Sequence, residues 1–281
     1  EYECDFGDTI DCPVCNAFRE FESTFVEGKS LDFVLHKFDS SLKEKNEFTI
    51  ASVKGANPSN SRAIAIEIDD DGNIYVGGGT EVDLGFKDPI YDFNYFDADP
   101  TNSGKEMKET RGFLVKINPS MTKITASTYL GGPMAVTKWS SGPNCYVTAI
   151  DSDDEFLYVA GTDAGGKILT VTEGVYKEKT TNDSDVFIVR FEKDDFIIDK
   201  AMYYEGESSD EVTQLTVTGA VYSGMVYIGG RTSSKTIPTH KSAYQSSLNL
   251  STGTYSDAYV ARFNKSLDID DDSFAATYIG G

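Results

Sequence analysis

A chain of 281 residues with 39% apolar and 12% aromatic side chains can build a core, so wholesale disorder is excluded. Acids outnumber bases 46 to 25, a formal charge of −21, which disfavours nucleic acid and anionic lipid surfaces as partners. No apolar run reaches the roughly 18 residues a spanning helix needs, so membrane insertion is not expected. The first residue is Glu1 and there is no signal-peptide pattern, which suggests a processed chain or an excised piece.

Four kinds of segment recur in a fixed order along the chain. After a cysteine-containing segment, 1–30, comes Leu31–Asp39 (LDFVLHKFD), then a weak short element at Ala51–Gly55 (ASVKG). Ile64–Thr80 (IAIEIDDDGNIYVGGGT) is an apolar run, a turn and a second run; Leu84–Tyr91 (LGFKDPIY) follows it. Arg111–Asn118 (RGFLVKIN) resembles the first segment, and Thr128–Gly132 (TYLGG) closes the unit. The order then repeats as Val147–Thr162, Leu169–Tyr176, Asp185–Glu192 and Met202–Gly206. It repeats again as Val212–Thr232, Ile237–Tyr244, Asp257–Asn264 and Thr277–Gly281. The segments of the first kind each place a base before a large apolar residue: Lys37, Lys116, Arg190 and Arg262, spaced 72–79 residues apart.

Short runs rich in Val, Ile, Tyr, Phe and Thr between Gly, Asp, Asn and Ser clusters predict strands, and Asp71-Gly72-Asn73 predicts a hairpin. No helical stripe is evident. About four strands per unit, each unit packing on its neighbours, is the arithmetic of a β-propeller blade. The fold class expected is therefore all-β, a propeller of about four units. Three of them are complete (62–132, 146–206 and 212–281) and one is partial (31–55), with 1–30 a possible remnant of a blade.

The motifs YLGG, IAIEIDDDGNIYVGG, IPTHKSAYQ and DAYVARFN resemble those of the SBBP repeat, a β-propeller repeat of secreted and surface proteins. The likeness covers about residues 31–281. It implies a propeller and an extracellular or cell-surface location, and it brings no shared catalytic motif. The repeats here are longer than is usual for that family, and Ala51–Gly55 and Glu205 break the Gly-Gly pattern.

A partial first unit implies an open ring with exposed edges. The expectation is that a continuing native chain or partner chains complete it; the alternative is a closed four-bladed ring, which needs residues 1–30 to supply an unusual inner strand. Alternating turns put acidic clusters on one face: Asp69–Asp71, Asp151 with Asp153–Glu155, Asp194-Asp195 and Asp268–Asp272. The long insertions 81–109, 163–184 and 231–255 fall on the other, where binding loops are commonly carried.

Cys4, Cys12, Cys15 and Cys145 form an even set. Two disulfides are the default in an extracellular chain, with three pairings open, and a four-Cys zinc site is the alternative. Asp97, Asp99, Thr101, Asn102 and Glu106 space oxygen ligands as a calcium loop does, so calcium is the candidate cofactor. The competing reading is that Asp favours turns and solubility. Tyr91, Phe93, Tyr95, Phe96 and Trp139 are candidate aromatic contacts for glycans or proteins, or pack their own loop. His36 lies in a strand and reads as a packing or edge residue; no nucleophile elbow, H-E-x-x-H or phosphate loop is present.

The sequence therefore points to a non-catalytic extracellular scaffold or adhesion module, a subunit of a surface assembly or filament, with other protein chains as partners. Two alternatives stand beside it: a calcium-dependent carbohydrate- or protein-binding module, and a propeller lyase or hydrolase.

Overall fold

The computed structural model describes residues 30–54, 61–90, 110–131, 145–164, 172, 184–219, 224–248, 256–267 and 273–280. They form four antiparallel sheets, with no helix among the described residues. The first sheet is the hairpin β1 (Ser30–Phe38) and β2 (Glu44–Lys54). The second is a four-stranded meander: β3 (Arg62–Ile68), β4 (Ile74–Thr80), β5 (Arg111–Ile117) and β6 (Ile124–Leu130). The third, in the same order, comprises β7 (Cys145–Ser152), β8 (Phe156–Ala164), β9 (Ser184–Glu192) and β10 (Ile198–Tyr204). The fourth comprises β11 (Asp210–Val217), β12 (Met225–Thr232), β13 (Asp257–Asn264) and β14 (Ala275–Ile279).

The sheets pack face to face in chain order. β7 lies across β3, β4 and β5, and β11 lies across β7, β8 and β9. Strand alternation then gives each middle sheet two apolar faces. In β9, Phe187, Val189 and Phe191 face the second sheet, while Val186 and Ile188 face the fourth. In β5, Phe113, Val115 and Ile117 face the hairpin, while Leu114 faces the third sheet. Among the described residues, no apolar cluster joins the fourth sheet to the first.

The second glycine of the Tyr-x-Gly/Ala-Gly motif has a steric cause. Each first strand carries a register shift at a corresponding place: Ala63/Ala65, Val147/Ala149 and Val212/Gln214. The bulge pushes a carbonyl of the first strand toward the second. A Cβ on Gly78 would lie 2.1 Å from the Arg62 carbonyl oxygen. On Gly161 it would lie 2.0 Å from that of Tyr146, and on Gly230 1.9 Å from that of Glu211. The preceding motif position meets no such carbonyl: Ala160 occupies it in β8, a Cβ on Gly229 would meet only the Tyr259 carbonyl oxygen, at 3.6 Å, and one on Gly77 would meet the Val147 side chain at 2.5 Å.

A tyrosine on the last strand pins the connection between the second and third strands. The Leu84 amide donates to the Tyr129 hydroxyl at 2.8 Å, and that hydroxyl donates to Asp83 Oδ1 at 2.9 Å. The Ile237 amide donates to the Tyr278 hydroxyl at 2.6 Å, which donates to the Ser234 carbonyl at 3.1 Å. Burial pushes the Tyr278 hydroxyl pKa up to about 12, so it stays a donor at neutral pH. The pinned segments also bond to the last strand's outer edge: Ile90 N to Ser127 O (2.9 Å), Thr172 N to Ala201 O (3.3 Å) and His240 N to Ala276 O (3.2 Å). This covers backbone groups that would otherwise template aggregation.

Gly161→Ala should therefore destabilise the protein by about 3 kcal/mol, because the obstacle is backbone, whereas Gly229→Ala should change stability by about 1 kcal/mol or less. Urea midpoints of the two variants check this. Tyr259 is buried and its hydroxyl has no hydrogen-bond partner among the described residues. Tyr259→Phe should leave stability unchanged or raise it by about 1 kcal/mol in the same assay.

Candidate functional site

The joints between sheets are where the recurring sequence features converge. The base of each third strand sits on the face turned toward the next sheet. Lys116 Nζ bonds to the Lys193 carbonyl and to Asp194 Oδ1, both at 3.1 Å, in the β9–β10 turn. Its ammonium also lies 5.8 Å from the Tyr75 ring centre. Arg190 donates to the Lys265 carbonyl in the turn after β13 and pairs with Asp199 on β10. Its guanidinium stacks 4.2 Å from the Phe156 ring centre, a cation–π contact that favours a flat cation. At the first joint Lys37 lines a cleft opposite Pro119, Ser120 and Met121, and Asn46 Nδ2 donates to the Ser120 carbonyl at 3.4 Å.

The turn received by each base has its own signature. Leu42, Met121, Phe196 and Leu267 all adopt the left-handed conformation, with φ of 53–58°. A non-glycine residue there is strained by about 1 kcal/mol. Burial offsets it in three cases: Met121 packs with Phe33 and Leu35 of the hairpin, Phe196 against Tyr75, and Leu267 with Tyr158. Leu42 is the exception, 60% exposed.

Three of the described acids are committed to structure. Asp69 accepts bonds from the amide and side chain of Asn73 and from the Tyr75 hydroxyl. Asp153 pairs with Lys265 of the next sheet at 2.5 Å. Burial works against charge on Asp153, but Lys265 and the Phe156 and Glu155 amides outweigh it and hold its pKa below the usual value. Asp210 is buried among Thr232, Ser234 and the Gly206 amide, and burial raises its pKa.

The sequence-derived calcium set (Asp97, Asp99, Thr101, Asn102, Glu106) and aromatic set (Tyr91, Phe93, Tyr95, Phe96, Trp139) lie outside the described residues. So do Cys4, Cys12 and Cys15. Cys145 opens β7, buried, its amide bonded to the Thr110 carbonyl and its sulfur against Gly112. A different cation-competent group appears on the hairpin. His36, Glu44 and Glu47 hold their ligand atoms within 4.8 Å of one another, with His36 Nδ1 3.3 Å from Glu44 Oε1. Register pairs His36 with Glu47 and Phe38 with Glu44, a signal visible only once the hairpin pairing is known. A mixed imidazole–carboxylate set suits zinc-class ions better than calcium.

His36 also occupies a telling place in the sheet. Val34, His36 and Phe38 stand where Phe113, Val115 and Ile117 stand in β5, yet they are only half-buried. The outward face of the fourth sheet is likewise exposed at Val260 (40%) and Ile279 (51%). There Arg262 turns back and donates to the Ser273 carbonyl of its own sheet at 2.9 Å. No family model matches the chain, and no curated protein matches it. The likeness to SBBP repeats therefore rests on the motif residues alone.

Arg190→Ala should cost about 2–3 kcal/mol, since it strips one joint and leaves Asp199 unpaired, whereas Arg262→Ala should cost about 0.5 kcal/mol or less. Chemical denaturation of both variants checks the contrast. Asp153 is an acid with a lowered native pKa, so its contribution is present above the unfolded value of 3.8 and lost as pH falls through the lower native value. The stability gap between the wild type and Asp153→Asn should be widest near neutral pH and close below pH 3.8; urea midpoints across that range measure it.

Proposed function

We propose that the chain is a non-catalytic structural module, a β-propeller-type series of sheets that joins other protein chains at an extracellular or cell surface. The observation that carries this reading is the state of the two end faces. Both retain the elements of an internal joint, Leu42 at one end and Arg262 at the other, and both are exposed. Exposed sheet faces of this kind are usually contact surfaces. The high negative charge keeps such a module soluble, and the SBBP likeness fits a surface setting. No helix among the described residues is long and apolar enough to cross a membrane.

Lys116, Arg190, Lys265 and Asp153 are engaged in contacts between sheets, which fits a scaffold reading. Glycan binding through calcium would belong to the insertion loops, whose candidate residues lie outside the described residues.

The test is the assembly state of the purified chain, by light scattering and negative-stain electron microscopy. Defined multi-chain assemblies are expected as concentration rises to about 100 µM, the range in which weak joints form. A monodisperse single chain across that range would count against the scaffold reading.

A further inference from the structure

We infer that the outward face of the fourth sheet docks on the outward face of the first hairpin of a second copy, head to tail. This rests on the reading of the chain as a structural module and names the surface by which it assembles.

The second and third of the three internal joints serve as the template. In each, a base on the third strand binds a carbonyl of the next sheet's turn, and a left-handed apolar residue of that turn is buried beneath the earlier sheet. The direction is constant: the base belongs to the earlier sheet and the turn to the later one. At the two ends of the described series of sheets the halves of this joint stand apart. Arg262 is a base of the right position whose Nε is bonded within its own sheet. Leu42 is a turn residue of the right conformation, φ 58°, that lies exposed. The Asp39–Leu42 turn has the same closing bond as its counterparts, Leu42 N to Asp39 O at 2.9 Å, against Leu267 N to Asn264 O at 3.0 Å.

Charge and polarity agree with this pairing. The hairpin's outward side carries Glu44 and Glu47 beside His36. The fourth sheet offers Arg262 on the strand that supplies the base at both of those joints, with Val260 exposed on the same side. Docked, Arg262 would exchange the Ser273 carbonyl for carbonyls of the Asp39–Leu42 turn, and Leu42 would pack toward Tyr227, the counterpart of Tyr75. The contact is heterologous, so it propagates unless it closes on itself.

The experiment uses two full-length variants, Val260→Glu and Leu42→Glu, each altering one exposed side chain on one end face. Unchanged circular dichroism and melting temperature establish that both fold. Each alone should associate at least about tenfold more weakly than the wild type in sedimentation equilibrium. Mixed one to one, they retain one intact pair of faces and should form a dimer that grows no further. Wild-type assemblies that neither variant weakens would overturn this inference and leave the scaffold reading standing. A wild-type chain that stays single throughout would overturn both. Variants that weaken assembly singly but form no dimer when mixed would also overturn the head-to-tail pairing.

Discussion

The structure depends on one interaction: a cation on one sheet held by backbone carbonyls in a turn of the next. Sheets stacked face to face slide easily if only apolar side chains hold them, because the hydrophobic effect has no direction. Lys116 and Arg190 supply the direction. Each reaches across its joint to a turn, and a carbonyl in a partly dry joint is a stronger partner for charge than one in water.

The turn that receives the base is itself built for the joint. A left-handed Met121, Phe196 or Leu267 is strained locally, and burial of a side chain of that size contributes about 2–3 kcal/mol, enough to outweigh the strain. The Leu42 turn keeps the same conformation with its side chain exposed, so there the strain is not offset by burial. Cation and buried turn residue form one device, in which each half meets its partner on the adjacent sheet. The exposed Leu42 and the folded-back Arg262 acquire their meaning from that pairing.

The same logic accounts for much of the charge. A chain with 46 acids to 25 bases must place its bases with economy. Lys116, Arg190 and Lys265 all act between sheets, with Asp194 and Asp153 as acidic partners across the joints. Asp69 serves the turn geometry that its position favours. Asp69, Asp153 and Asp194 therefore brace the scaffold.

Much of the β architecture was legible in the sequence. The alternating runs around Lys116, Arg190 and Arg262 are strands, and Asp71-Gly72-Asn73 is a hairpin turn with Gly72 at positive φ. These follow from local chemistry: side-chain period, turn residues and the freedom of glycine. Other features were closed to it. Alternation shows that Phe187 and Ile188 point to opposite faces, but not which sheet each face meets. Nor could it separate Gly161, which a facing carbonyl forbids to change, from Gly229, which has room. The cluster of His36 with Glu44 and Glu47 needed the register of a hairpin. Local sequence by itself determined where strands and turns lie, because those preferences are set within a few residues. Only the tertiary structure decided which bases hold neighbouring sheets and which faces remain open, because both depend on contacts between residues more than seventy positions apart.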